Sequence, residues 1–154
     1  MQPHLRHELE RFRPWLGHWR GPGEIADKRA VMIEIAFAPL FDGAALQVSS
    51  AAFDIRSGEC ISAGTGFWGV DAQGKLAASI ISAGTGALLM REVPEDPPGV
   101  CIEGVIGGSV RFTVALVPDG PTLTLTTRRS EGYAGVAQPV SYAVMRRTQA
   151  QGGR

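Results

Sequence analysis

From about residue 19 to residue 147 the chain consists of short runs in which apolar and polar residues alternate, broken at close intervals by glycine and proline. A period of two marks strands with one face buried and the other in water. The runs are rich in Val, Ile, Thr and aromatic residues, which suit a pleated, half-buried surface. The spacing predicts strands over Trp19–Asp27, Val31–Ala38, Ala45–Phe53, Ile61–Val70, Leu76–Ser82, Ala87–Val93, Val100–Ile106, Val110–Val117, Thr122–Arg128 and Val140–Arg147. The turns between them include Phe41-Asp42-Gly43, Arg56-Ser57-Gly58, Asp71-Ala72-Gln73-Gly74, Gly107-Gly108 and Pro118-Asp119-Gly120-Pro121. Each supplies the left-handed tolerance or the fixed φ that a tight reversal needs. Hairpins in series predict a meander, and a meander with no second helix leaves two bare edges unless the sheet closes. The expected fold is therefore all-β, a closed antiparallel up-and-down barrel of about ten strands, with a two-sheet sandwich as the alternative. Longer connections are expected at 94–99 and 129–139.

The leader, residues 1–16, follows a different period. Leu5, Leu9, Phe12 and Leu16 recur at helical spacing, which places an apolar stripe on one side of a helix. Pro14 is expected to end it. Such a stripe needs something to cover, and an end of the barrel is the available surface. The whole chain, 1–154, reads as one domain with this leader as a cap.

Composition narrows the function. Lys plus Arg and Asp plus Glu number 15 each, so there is no electrostatic case for nucleic acid or an anionic membrane. Residues Met1 to Glu10 carry no apolar stretch of signal-peptide type, and no run is long enough to span a bilayer as a helix. The cytoplasm is the expected compartment. Cys60 and Cys101 lack metal-ligand spacing, and two buried thiols are expected rather than a disulfide.

Catalytic signatures are absent. Gly64-Thr65-Gly66 is no nucleophile elbow, and neither it nor Gly84-Thr85-Gly86 leads into the helix of a dinucleotide fingerprint. The segment Ser62-Ala63-Gly64-Thr65-Gly66 recurs as Ser82-Ala83-Gly84-Thr85-Gly86, and glycines beside adjacent strands imply coiling or close backbone approach. All three histidines, His4, His7 and His18, lie in the first eighteen residues. His18 should face outward if Trp19 faces in. With no catalytic pair in view, the chain reads as a binding protein rather than an enzyme. Its expected ligand is a small apolar or amphipathic molecule in the barrel interior, and self-association into a homodimer is left open. Polar positions that could converge inside are Glu34, Gln47, Ser49, Thr65, Phe67 (sharing the face of Thr65), Arg111 and Tyr142. Glu34 also has an exterior reading as an ordinary solvated charge. A barrel filled with side chains, serving as an interaction module, is the other alternative.

In a closed meander the first and last strands are neighbours, so Trp19 can lie under a guanidinium from Arg146 or Arg147. Alternation lets only one of the two reach it. That pairing resembles the calycins, the lipocalins and fatty-acid-binding proteins among them. Leu16-Gly17-His18-Trp19-Arg20-Gly21-Pro22-Gly23-Glu24 more narrowly resembles the opening of nitrobindin-like proteins. Gly64-Thr65-Gly66-Phe67-Trp68 and the closing Gln138-Pro139-Val140…Arg146-Arg147 are similar to later segments of that family. The resemblance covers about residues 9 to 148. It implies a ten-stranded barrel with haem b at one mouth and nitric oxide or peroxynitrite chemistry. That family holds its iron through a histidine a few residues after Gln-Pro. Here Ser141-Tyr142-Ala143 stands in that region, and no histidine follows His18. Tyr142, which also has a reading as a packing residue near the barrel seam, or a leader histidine is left to serve as an axial ligand. A phenol needs deprotonation to do so. The expectation is a protein that purifies without a cofactor and binds hemin weakly.

Overall fold

The computed structural model describes residues 2–83, 85–94, 98–131 and 138–148. Ten antiparallel strands form a closed barrel: β1 (Gly17–Ile25), β2 (Arg29–Leu40), β3 (Ala45–Asp54), β4 (Cys60–Val70), β5 (Leu76–Ser82), β6 (Gly86–Val93), β7 (Val100–Ile106), β8 (Val110–Asp119), β9 (Thr122–Glu131) and β10 (Gln138–Arg147). Each strand pairs with the next in sequence, and β1 pairs with β10 to complete the ring. Two spans, Leu76–Ser82 and Val100–Ile106, coincide with the expected ones. The largest difference at any one strand end is in β9, which continues past Arg128 to Glu131. Of the connections expected at 94–99 and 129–139, residues 95–97 and 132–137 lie outside the described residues, as does Gly84 of the repeated segment.

The leader corrects the expectation in its type of helix. It is a 3-10 helix, His7–Trp15, and it contains Pro14 instead of ending before it. In a 3-10 helix residues i and i+3 eclipse, so the buried stripe becomes Leu9, Phe12 and Trp15, with Leu16 only packed at its margin. The stripe closes one end of the barrel. Phe12 meets Trp15 and Trp68 edge-on at centroid distances of 5.1 and 5.5 Å. Phe37 meets Trp15 and Trp68 in the same manner, both at 5.8 Å. Below this plug, Leu46, Leu76, Met90, Ile102, Leu116, Leu123 and Met145 are fully buried. Arg11 fixes the leader from outside through two bonds to the Glu92 carboxylate on β6, at 2.7 and 2.8 Å. The Arg11 guanidinium, more than any other contact, holds the Glu92 carboxyl below its usual range.

The seam between β1 and β10 is close-packed. The Arg147 guanidinium lies 4.7 Å from the centre of the Trp19 ring. It donates to the carbonyls of Pro14 and Leu16, which the leader leaves without helical partners. The Trp19 indole N–H donates to the carbonyl of Trp15 at 2.8 Å. Arg146 points outward, opposite Arg20 across the seam. Cys60 is exposed, against expectation, because it sits at the outer start of β4; Cys101 is buried, and no disulfide joins them.

Candidate functional site

The two ends of the barrel differ. At the capped end the inward Trp19, Phe37, Leu46, Trp68, Leu76, Leu116, Leu123 and Met145 are buried. At the other end, formed by the start of β2, β4, β6, β8 and β10, several inward positions stay open. On β3 the buried residues are Leu46, Val48 and Ala52, so Ser50 falls on the inward phase, and it also borders the depression lined by His18, Glu34 and Ser49. Yet Ser50 is exposed. Its neighbours across β4, β5 and β6 are Gly64, Ser82 and Gly86, all small. A Cβ on Gly64 would stand 2.9 Å from the Cβ of Ser82, so the two strands approach closely where the repeated segments pair. The facing wall carries Ile106, Phe112 and Val114, only partly buried. One polar pair lies deeper: the hydroxyls of Thr127 and Ser141 are 2.5 Å apart. Arg129 is paired with Phe112 in the β8–β9 register, on the inward phase at the rim. The result is a cup with small residues on one wall, apolar residues on the other, and a hydroxyl pair.

The Asp54 carboxylate braces the rim. It accepts from the backbone N–H groups of Arg56 and Ser57 and from Arg29 Nε, at 2.8 to 2.9 Å. The Ser57 N–H foremost, then the Arg29 guanidinium, hold its pKa down to about 2. A depressed carboxylate stabilises the fold above its unfolded pKa, and that contribution disappears as pH falls through the folded one. The melting temperature of Asp54→Asn should therefore lie below the parent's at pH 7. The gap should close between about pH 4 and pH 2; a gap that is the same at both pH values refutes the assignment.

None of the seven residues expected to converge inside lines this cup. Glu34 points outward and pairs with Arg20 at 3.2 Å. Gln47 and Ser49 alternate with buried Leu46 and Val48. Thr65 and Phe67 alternate with buried Gly66 and Trp68, and the Thr65 hydroxyl has no hydrogen-bond partner among the described residues. Arg111 pairs on the outer wall with Glu103 at 3.3 Å. Tyr142 is 49 % exposed and alternates with fully buried Ala143. The reason is phase: the apolar residues of each strand take the inward positions, so most polar positions are those that meet water. Of the positions that face the cup, Ser50, Gly64, Ser82 and Gly86 are small residues with no chemical signature, and only the recurrence of the repeated segment marked that wall.

Two shallow depressions, of about 280 and 330 Å³, lie over β1–β3 and share Arg20 and Glu34. His18 lines the first and is exposed on the outer wall. Among the described residues, no helix is long and apolar enough to cross a membrane.

No protein-family model and no curated protein matches this chain. A solved structure does. Rv2717c from M. tuberculosis superposes with a TM-score of 0.77 over 95 % of this chain and 100 % of its own, at 18 % identity. The two share a barrel fold. At that identity the likeness extends to architecture, and the chemistry of each barrel rests on its own side chains.

Proposed function

We propose that this barrel binds a small apolar or amphipathic molecule in its open end. The observation that carries the reading is the contrast between the ends: inward positions are sealed under Phe12, Trp15 and Trp68 at one, and exposed or half-covered at Ser50, Gly86, Ile106 and Phe112 at the other. A concave, mostly apolar surface with a few polar groups is the usual form of a small-molecule site. Here the apolar wall would take the ligand's body, and the Thr127–Ser141 hydroxyl pair would offer it a polar contact. The test is binding of an environment-sensitive dye such as anilinonaphthalene sulfonate, followed in the parent and in Ser50→Trp. The indole should fill the cup and weaken dye binding at least tenfold with little change in melting temperature. Equal binding by both proteins would move the site elsewhere.

Haem, which the resemblance implies, does not fit the described residues. His18 lies on the outer wall, and His4 and His7 are exposed on the leader at the capped end. The Tyr142 phenol points away from the cup, in register with Thr126 and Glu24 on the outside. The inward residue at that level, Ser141, is engaged with Thr127. Neither an imidazole nor a phenolate is therefore offered to an iron in the cup by these residues.

A further inference from the structure

The outer wall divides into two regions by charge. Strands β4 and β5 contain no charged residue. Their outward side chains, with those of β6 and β7, form a patch in which Phe67 is 44 %, Ile81 61 %, Leu89 58 % and Val105 52 % exposed. The register makes the patch continuous: Phe67 pairs with Ser79 and Ser79 with Leu89, Thr65 pairs with Ile81, and Leu89 and Val105 stand one step beyond the Met90–Gly104 pair. Large exposed apolar side chains gathered on one flat surface are uncommon in a monomer.

A line of alternating charge borders the patch. Asp71, in the β4–β5 turn, bonds Arg91 on β6 at 3.2 Å. Arg91 stands opposite Glu103 on β7. Glu103 bonds Arg111 on β8 at 3.3 Å. The order is minus, plus, minus, plus. The central pair, Arg91 and Glu103 on adjacent strands, is complementary to a copy of itself turned by a two-fold axis along the strands. A two-fold running between Arg91 and Glu103 sets the Arg91 of each copy against the Glu103 of the other and lays Leu89 on the second copy's Val105. An interface between identical chains needs this property, because a two-fold presents the same surface to itself. Homodimer interfaces also have apolar, charge-poor centres with charges at the rim.

We infer that this face of the barrel is the contact surface of a homodimer, with Leu89 and Val105 of each copy at its centre, Arg91 and Glu103 beside them, and Phe67 and Ile81 toward its margin. It lies on the outside of the wall and leaves the open cup free.

Sedimentation equilibrium of the full chain over a range of concentrations tests this. The parent should sediment at twice the mass of one chain. Leu89→Glu, a change at an exposed position, should weaken the dimer at least tenfold while keeping the parent's far-ultraviolet circular dichroism. Arg91→Glu and Glu103→Arg should each do the same, because each sets like charges face to face. Mixed, these two variants should pair with one another, since the carboxylates of one chain then meet the guanidinium groups of the other at both positions. That recovery separates a lost contact from a damaged fold. A parent that stays monomeric at the highest concentration overturns the inference. So does a dimer indifferent to all three changes, or a mixture that fails to pair.

Discussion

Trp19→Ala should lower the unfolding free energy by roughly 3–5 kcal/mol, the cost of emptying a large aromatic site that cannot fully collapse. Trp19 is buried on the inner wall of β1, and its loss removes three things together. The ring volume goes. The indole hydrogen bond to the Trp15 carbonyl goes, freeing the leader's last turn. The Arg147 guanidinium loses the face it rests on, a contact of about 0.5–2 kcal/mol in comparable settings. Urea unfolding followed by the fluorescence of the two remaining tryptophans measures it. A loss below about 1 kcal/mol would mean that the plug holds without Trp19.

Gly21→Val should match that effect by the opposite mechanism. A Cβ on Gly21 would stand 2.0 Å from the carbonyl oxygen of Val144 and 2.7 Å from the Cα of Met145. Both are backbone atoms of the partner strand, so no rotamer change relieves the contact and β10 must move away from β1. Overpacking against side chains costs about 1–3 kcal/mol; against a paired backbone the upper end or beyond is expected. Hydrogen exchange should localise the damage, with β1 and β10 amides losing protection before those of β4 and β5. Uniform loss across the sheet would contradict a seam-specific role.

How much of this was legible in the sequence differs between fold and site. The period of two and the turn residues locate all ten strands, because each hairpin is specified within its own short stretch of chain. Closure follows from the absence of anything else to cover an edge. The leader's helix type was hidden, since Leu5, Leu9 and Phe12 satisfy an α-helical stripe until Trp15, not Leu16, takes the inward place. The site was the least legible. Polar residues on strands invite placement inside a binding barrel, but Glu34, Arg111 and Tyr142 meet water outside, the first two in cross-strand ion pairs. What opens the cup is the smallness of Gly64, Ser82 and Gly86, and a missing side chain leaves little trace in a pattern of hydrophobicity.

The strand order also bears on how the molecule assembles. Nine of the ten strand pairs join neighbours in sequence, and only β1–β10 joins the two ends of the ring. The nine can form by short loop closures, whereas the tenth spans nearly the whole chain and carries the largest closure entropy. Trp19, Gly21 and Arg147 sit at that last contact, as a latch. Interactions made after the folding barrier leave the folding rate almost untouched and set the rate of unfolding. The durability of this barrel, as distinct from the speed of its formation, is thus concentrated in one seam and in the leader carbonyls that Arg147 holds.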